Sequence, residues 1–582
     1  MRILLLTHAF NSLAQRLFVA LRERGHLVSV EFDINDRVSE EAVELFRPDL
    51  IVAPFLKRRI PAAIWSRHVC LIVHPGIPGD RGPSSLDWAI LEAEPDWGVT
   101  VLQADAELDA GAIWEWRGFP MRPAAKSSLY RNEVAEAAEQ AVLACVDRME
   151  AGGSGGGPAA APAPGGRGRL RPAVKQADRA IDWRSDDSET VLRKIRSADG
   201  RPGVRDEVLG VPVWLYDGHG DDRLLGPPGT VIARREGAIC RATADGAVWI
   251  GHLRLRTEDG MTFKLPAEQV LAGRLGAVPE VAAHDGRTWQ DIRYHEDRGV
   301  GVLDFAFYNG ALSTRQCERL RRAYAAARRR DIRVLVLMGG PDFWANGMHL
   351  NVIEAAPSAA DESWRNINAI DDFVDDILVT GDRLTIAALQ GNAGAGGVFL
   401  ALAADRVIGR RGIVLNPHYK GMGNLYGSEY WTYLLPRRAG AGNAAILTEA
   451  RLPMGVAEAK RLGLVDAEIV GDVPAFRRQV LALARDLAAD PALPALLRDK
   501  QAGRAADEAA KPLAAYRRDE LERMRLNFYG FDPSYHVARY NFVHAVAKSR
   551  TPLPIALHRR RGGGAHATPL PARASPHTDR SV

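Results

Sequence analysis

Short apolar runs recur along this chain with helical spacing between them. Ile3–Leu6 is followed by a stretch of helical periodicity from about Ser12 to Arg24 and then by Leu27–Phe32, a βα unit that opens an α/β domain. Leu50-Ile51-Val52-Ala53 and Cys70-Leu71-Ile72-Val73 are wholly apolar, as strands buried on both faces of a parallel sheet must be. Ligands of such open sheets lie at the carboxyl ends of strands, and His74 stands at one of them. From 151 to 169 the pattern collapses into Gly, Ala, Pro and Ser, which cannot bury enough apolar surface to fold and predicts a linker. Beyond it, helical Leu192–Arg196 leads into short strands at Val213–Tyr216, Gly229–Ala233 and Ala238–Ala242. Asp245-Gly246 then marks a hairpin before Val248-Trp249-Ile250, so this region reads as a small β-barrel.

A second α/β pattern begins near residue 286. Gly301–Phe305 reads as a strand, Gln316–Arg329 as a basic helix and Ile332–Met338 as a buried strand, and the alternation continues through Leu384–Leu389 and Val398–Ile408. Past about Pro494 the chain is helical and charged, and from Arg559 its Arg, Gly, Pro and His content predicts disorder. The expected organisation is therefore an α/β multidomain chain. It comprises a Rossmann-like parallel sheet over 1–150, a linker over 151–169, a β-barrel over 170–285, an α/β domain over 286–490, a helical extension over 491–558 and a disordered tail over 559–582.

Composition narrows the function classes. The 582 residues are too many for one core. Basic residues number 76 against 72 acidic ones, a balance that gives no reason to expect nucleic-acid binding. The four cysteines, Cys70, Cys145, Cys240 and Cys317, form no CxxC pair, so neither a zinc site nor a disulfide framework is expected. No apolar stretch reaches membrane-spanning length and the first residues lack a cleavage pattern, so the expected address is the cytoplasm.

Two segments carry candidate chemistry. A strand-end histidine and a carboxylate from a later loop, His74 and Asp109, could transfer a proton, although a lone strand-end histidine is also an ordinary structural residue. Far downstream, Gly391-Asn392-Ala393-Gly394-Ala395-Gly396-Gly397 would let a substrate carbonyl approach backbone amides that a Cβ would shield. Tyr419 and Glu429 could relay a proton there. The same two residues also read as a packed aromatic and a surface charge.

The segments His74-Pro75-Gly76-Ile77-Pro78-Gly79, Arg81-Gly82-Pro83, Gly98-Val99-Thr100-Val101 and Leu108-Asp109-Ala110-Gly111 resemble, in order, the core of the 10-formyltetrahydrofolate-dependent formyltransferases and hydrolases. Lys175–Trp183 and Ile195–Asp199 resemble the start of that family's barrel-like second domain. The resemblance implies that His74 and Asp109 are catalytic and that Pro54, Phe55, Leu56 and Lys57 bind the folate through backbone groups. It also exposes a departure. The family has an asparagine two residues before the histidine, and this chain has Ile72. Loss of one such oxyanion donor costs about a hundredfold in rate.

Phe343–Leu350 and Ala388–Gly397 resemble the two oxyanion-hole strips of the crotonase (enoyl-CoA hydratase/isomerase) superfamily, which implies that the amides of Met348 and Gly396 hold a coenzyme A thioester. Hydratases carry two glutamates. Phe399 occupies one position and the other falls near His418 or Tyr419, so paired acid/base hydration is not expected. The two modules in this order, with the altered crotonase segment, are similar to the HypX/HoxX-type maturation proteins of NiFe-hydrogenases. That resemblance implies an enzyme that moves the formyl group of 10-formyltetrahydrofolate to coenzyme A and decarbonylates formyl-CoA, supplying carbon monoxide to the hydrogenase iron. Hydrogenase assembly factors would be its protein partners. A fused carrier would raise the effective concentration of the thioester. Arg131 and Arg539 are the candidates for the coenzyme A phosphates, with solvated surface arginines the alternative. Competing expectations are an amine (nucleotide-sugar) formyltransferase fused to a crotonase, and a non-enzymatic scaffold that binds folate and coenzyme A.

Overall fold

A computed structural model describes residues 1–152 and 167–560, and these form two units, one of residues 1–152, 167–290 and 547–560 and one of residues 291–546. Most of the expected linker, residues 153–166, and all of the expected tail from 561 lie outside the described residues.

In the first unit, strands form a sheet in the order Leu27–Phe32, Arg2–Thr7, Leu50–Phe55, Cys70–His74, Asp96–Gln103, Ile113–Pro120. The four expected strands pair in parallel, and their side chains, from Leu4 and Leu5 to Ile51 and Val52, are buried. The last two strands are antiparallel additions. The helix Ser12–Glu23 starts where Asn11 accepts a bond from the Ala14 N–H, satisfying an otherwise orphan donor. It buries Leu13, Leu17 and Leu21, the apolar stripe that the periodicity marked.

The region expected as a barrel is an antiparallel sheet in the order Val204–Val208, Val211–Asp221, Ala247–Leu255, Ala238–Ala242, Val231–Arg235, with Leu265–Pro266 pairing off it. The Asp245-Gly246 turn sits where expected, joining Ala242 to its partner Ala247. Residues 286–290, expected in the next domain, belong to this unit, where Trp289 packs on Trp249 with ring centroids 6.2 Å apart.

The second unit holds a six-stranded sheet in the order Ile292–Asp297, Val300–Phe305, Val334–Met338, Leu384–Leu389, Arg406–Arg410, Ala467–Ile469, parallel from its second strand onward. A smaller sheet runs Phe343–Ala345, Asn392–Gly394, Val414–Asn416, Met454–Gly455. Three of its strands each follow a strand of the large sheet in the chain, so the large sheet sets where the small one begins. The glycine run lies on this small sheet and turns directly into the helix Gly396–Leu402.

The extension expected over 491–558 divides at Val546. Leu513–Tyr529 packs Leu513, Met524 and Phe528 into the core of the second unit, whereas residues 547–560 belong to the first. The reason is an edge. Leu27–Phe32 ends its sheet and would leave donors unpaired. Val30 N–H donates to the Ile555 carbonyl (2.9 Å) and Phe32 N–H to the Thr551 hydroxyl (2.8 Å). Between them the fully buried Glu31 accepts from Arg559 Nε (2.6 Å) and meets His558 Nε2 (2.8 Å). Burial alone would raise the Glu31 pKa, but bonds from His558, Thr551 and Arg559 outweigh it and hold the carboxyl below its ordinary value. A chain ended at Val546 strands this charge, so the melting transition of the first unit is expected to drop by the equivalent of about 3–5 kcal/mol. Calorimetry of the two chains measures this, and an unchanged transition would remove the clasp from the stability of that unit.

Candidate functional site

The first candidate site is built on the strand Cys70–His74. The turn after it is pinned by its carbonyls: Pro75 accepts from Ser85 Oγ (2.8 Å) and Trp97 Nε1 (3.0 Å), and Gly76 from Thr100 Oγ1 (2.7 Å). Residue 76 must be glycine because a Cβ there would lie 2.4 Å from His74 Nε2 and 2.7 Å from Asp80 Oδ2. The imidazole is thereby held between two carboxylates. Its Nε2 lies 3.2 Å from Asp80 and its Nδ1 3.7 Å from Asp109. His74 and Asp109 are thus brought together as the sequence predicts.

Asp80 was not predicted. It is 2% exposed, with Arg171 Nε 3.7 Å away, and nothing in Gly79-Asp80-Arg81 distinguishes it from a turn residue. Asp109, whose side chain is 20% exposed, adopts φ 54°, a conformation that aspartate tolerates better than most residues, and accepts a bond from the Gly82 N–H (3.2 Å). The buried carboxylate can orient the ring, and the more open one is the group a ligand could reach. Ile72 lies two residues before His74 on one strand, so both side chains leave the same face, and Ile72 has no donor to offer there.

The expected folate strip ends the strand Leu50–Phe55. Its groups have partners: the Phe55 carbonyl accepts from His8 N–H (2.7 Å) and Thr7 Oγ1 (3.1 Å), the Pro54 carbonyl from the Tyr130 hydroxyl (3.5 Å), and Lys57 N–H donates to Asp33 (3.4 Å). Leu56 is half-buried against the core beside it. Arg131 is half-buried and donates to the Ser127 carbonyl (3.2 Å). In the second unit Arg539 is buried rather than solvated. It donates to Glu354 (2.7 Å), and its guanidinium lies 5.5 Å from the Tyr535 ring centroid.

The second candidate site is a cavity of about 70 Å³ lined by Gly347, Met348, Ile367, Gly396, Tyr419, Met422, Leu425, Glu429 and Met524, among others. Both expected oxyanion residues are in that lining. A Cβ on Gly347 (φ 77°) would come within 3.4 Å of the Gly396 nitrogen, so the two strips are in close contact. Gly396 is the first residue of its helix, a position whose N–H has no intrahelical partner.

Tyr419 donates its hydroxyl to Glu429 (2.6 Å), and Phe399 stacks on the Tyr419 ring at 5.2 Å and 17°. Where hydratases carry a glutamate, this chain has an apolar plate that fixes the phenol. Glu429 is not the surface charge that the sequence left open, being 1% exposed. Burial, and then the charge of Asp371, push its pKa up, and burial followed by the Glu429 charge does the same to Tyr419. The pair therefore holds protons that exposed groups would release.

Two more acidic residues, Asp371 and Glu520, were missed. Both are fully buried, and burial raises both, Glu520 to about 8. Neither stands in a recognisable motif.

The chain is similar to known proteins along nearly its whole length. Residues 13–146 match the formyl transferase family, 173–270 the formyl transferase C-terminal domain and 299–522 the enoyl-CoA hydratase/isomerase family. The hydrogenase maturation factor HoxX of Bradyrhizobium diazoefficiens is 59% identical over 96% of this chain and 98% of its own length. The chain belongs to the HypX/HoxX family of hydrogenase maturation factors. A crystal structure of HypX from Aquifex aeolicus in complex with tetrahydrofolic acid is 46% identical, with a TM-score of 0.92 over 97% of this chain and 100% of that one. The methionyl-tRNA formyltransferase of Thermotoga neapolitana is 27% identical over 42% of this chain and 78% of its own length, so the resemblance to amine formyltransferases is confined to the first part of this HypX/HoxX protein. Among the described residues no helix is long and apolar enough to cross a membrane.

The buried carboxyls give this family member a pH-dependent stability whose sign can be worked out. A group whose pKa is higher folded than unfolded stabilises most below its unfolded value, and that contribution is lost as pH rises toward the folded one. For Glu520 the window runs from 4.5 to about 8. The second unit should therefore lose stability across that window, at up to about 1.4 kcal/mol per pH unit per group. Denaturant titrations at several pH values measure the slope, and Glu520→Gln is expected to flatten it.

Proposed function

We propose that this protein transfers the formyl group of 10-formyltetrahydrofolate to coenzyme A and releases carbon monoxide from the resulting formyl-CoA, for the iron centre of a NiFe-hydrogenase. The observation that carries the reading is the Tyr419–Glu429 pair, bonded at 2.6 Å inside a cavity lined by both oxyanion residues.

In the first step the coenzyme A sulfur attacks the formyl carbon, the carbon–nitrogen bond breaks, and the thiol proton passes by way of His74 to the departing folate nitrogen. Asp80 and Asp109 support the imidazolium that forms. Pro54, Phe55, Leu56 and Lys57 are the proposed folate strip, and Arg131 and Arg539 the proposed partners of the coenzyme A phosphates. Ile72 supplies no oxyanion donor, which suits an acceptor more nucleophilic than an amine.

In the second step the amides of Met348 and Gly396 hold the thioester carbonyl. The carbon–sulfur pair leaves with sulfur, which takes a proton from the Glu429 carboxyl. The formyl C–H then gives its proton back to Glu429, and its bonding pair becomes the lone pair of carbon monoxide. No proton is gained or lost overall, so one carboxyl steadied by one phenol suffices.

The test supplies the full chain with 10-formyltetrahydrofolate and coenzyme A and follows carbon monoxide with a haem protein. Release is expected from the wild type. Formyl-CoA given to Glu429→Gln should release at least a hundredfold less, the scale of losing a positioned acid/base. Formyl-CoA that survives incubation with the wild type would overturn the reading, and undiminished release by the variant would remove Glu429 from it.

A further inference from the structure

Glu429 occupies its place against the preference of its own backbone. Glu429 (φ 61°) and Tyr430 (φ 57°) are consecutive non-glycine residues in the left-handed region, an arrangement costing about 1 kcal/mol or more at each position. Such a turn persists only where its surroundings over-determine it, and here two carboxylates from distant helices do so. Asp371, on the helix Ala359–Leu378, accepts the Glu429 N–H (2.8 Å). Glu520, on Leu513–Tyr529, accepts the N–H groups of Tyr430 (2.9 Å) and Thr432 (2.8 Å) at the start of the helix Trp431–Ala439. The Ser428 hydroxyl lies between them, 2.7 Å from Asp371 and 3.3 Å from Glu520. The outcome is exact in space: a Cβ on Gly396 would lie 2.5 Å from the Glu429 carboxyl carbon.

We propose that Asp371 and Glu520, joined through Ser428, are positioning residues of the thioester site: they fold the turn that lays the Glu429 carboxyl over Gly396, and their negative charge governs the proton it carries. This rests on the thioester-cleaving reading of the cavity and adds to it the groups that decide the state in which Glu429 starts. The groups facing Glu429 are few. Burial and then the Asp371 charge favour its neutral form, whereas the Tyr419 hydroxyl (2.6 Å) and the Ser428 N–H (3.1 Å) donate to it and favour the charged form. The Glu520 charge adds to the first side, and the buried Cys317 thiol of the helix Thr314–Arg328 adds no positive charge. Arg517 lies 3.8 Å from Asp371 and 2.7 Å from Asp372, and Asp375 accepts the Tyr430 hydroxyl (3.1 Å). One guanidinium thus faces several carboxylates, and the neutral, proton-donating form of Glu429 is the one this environment favours.

The experiment uses Asp371→Asn, which keeps an acceptor for the Glu429 N–H and removes the charge, and Glu520→Gln alongside it. Carbon monoxide release from formyl-CoA is measured across the carboxyl titration. The Glu429 carboxyl is followed separately in the full-length protein by its infrared band, identified by subtracting the Glu429→Gln spectrum. A neutral Glu429 donating first predicts activity that falls as pH rises, and Asp371→Asn should move that limb, and the infrared titration, to lower pH by about 1 unit or more. A lower rate with limb and band unmoved is what a merely structural role gives and overturns the proposal. A wild type that releases no carbon monoxide, combined with a band that still moves in the variant, overturns the decarbonylation reading and leaves the positioning role standing. Should Asp371→Asn not fold, Glu520→Gln decides by the same two readouts, with a smaller shift expected because its charge acts on Glu429 more weakly than that of Asp371.

Discussion

The carboxyl of Glu429 fills the space that a side chain at residue 396 would need, and much of the second unit is arranged around that contact. It demands glycine at 396, a left-handed backbone at 429 and 430, and a phenol close enough to bond. Each demand creates another. Tyr419 can stand beside Glu429 only because Gly427 has no Cβ, which would come within 2.1 Å of the ring. The backbone can turn left-handed only because Asp371 and Glu520 take up its N–H groups. Those acceptors are themselves buried carboxyls whose pKa burial raises, so their charge is felt by Glu429 only as they lose their protons.

The first unit solves a similar problem differently. His74 is not pushed by strain but bracketed, with one carboxylate on each ring nitrogen and a glycine at 76 that leaves room for the nearer one. Asp80 is the buried member of the bracket and Asp109 the one with solvent access. An imidazole so placed can accept a proton without moving, because its charged form already has partners on both sides. Ile72 offers no side-chain donor on that face, so in the proposed reaction the weight falls on proton transfer by His74.

The strands were legible because a buried parallel strand is wholly apolar and interrupted by polar turns, and that pattern does not depend on distant residues. The glycine run was legible for a similar reason: close approach to a backbone requires glycine, and the requirement is local. His74 and Asp109 were singled out because their neighbours in the chain resemble a known site, and Tyr419 and Glu429 because they stand at or soon after a position where hydratases carry a glutamate and this chain does not. Asp80, Asp371 and Glu520 were not found because their meaning comes from partners remote in sequence; Glu520 bonds residues about ninety positions away. In Ile370-Asp371-Asp372-Phe373 the two aspartates look alike, yet one is fully buried and the other open to solvent. The edge-covering segment 547–560 escaped detection on the same grounds, since the unpaired donors of Leu27–Phe32 are a property of sheet order, which periodicity does not contain.

These placements bear on how a crotonase frame could serve the proposed reaction in place of hydration. Hydration needs a water held between two bases, hence two carboxylates on the cavity wall and room between them. Phe399 stands at one of those positions and His418 or Tyr419 near the other, and the Phe399 ring stacks on the Tyr419 phenol. The cavity wall presents a single carboxyl among three methionines, two leucines and an isoleucine, with Asn346 and Tyr419 as its other polar side chains. In the proposed reaction a lone carboxyl in such a cavity lends a proton and recovers it from the same substrate. Neither hydratase glutamate is present in this chain, so the proton in play in that reaction is the one on the buried Glu429.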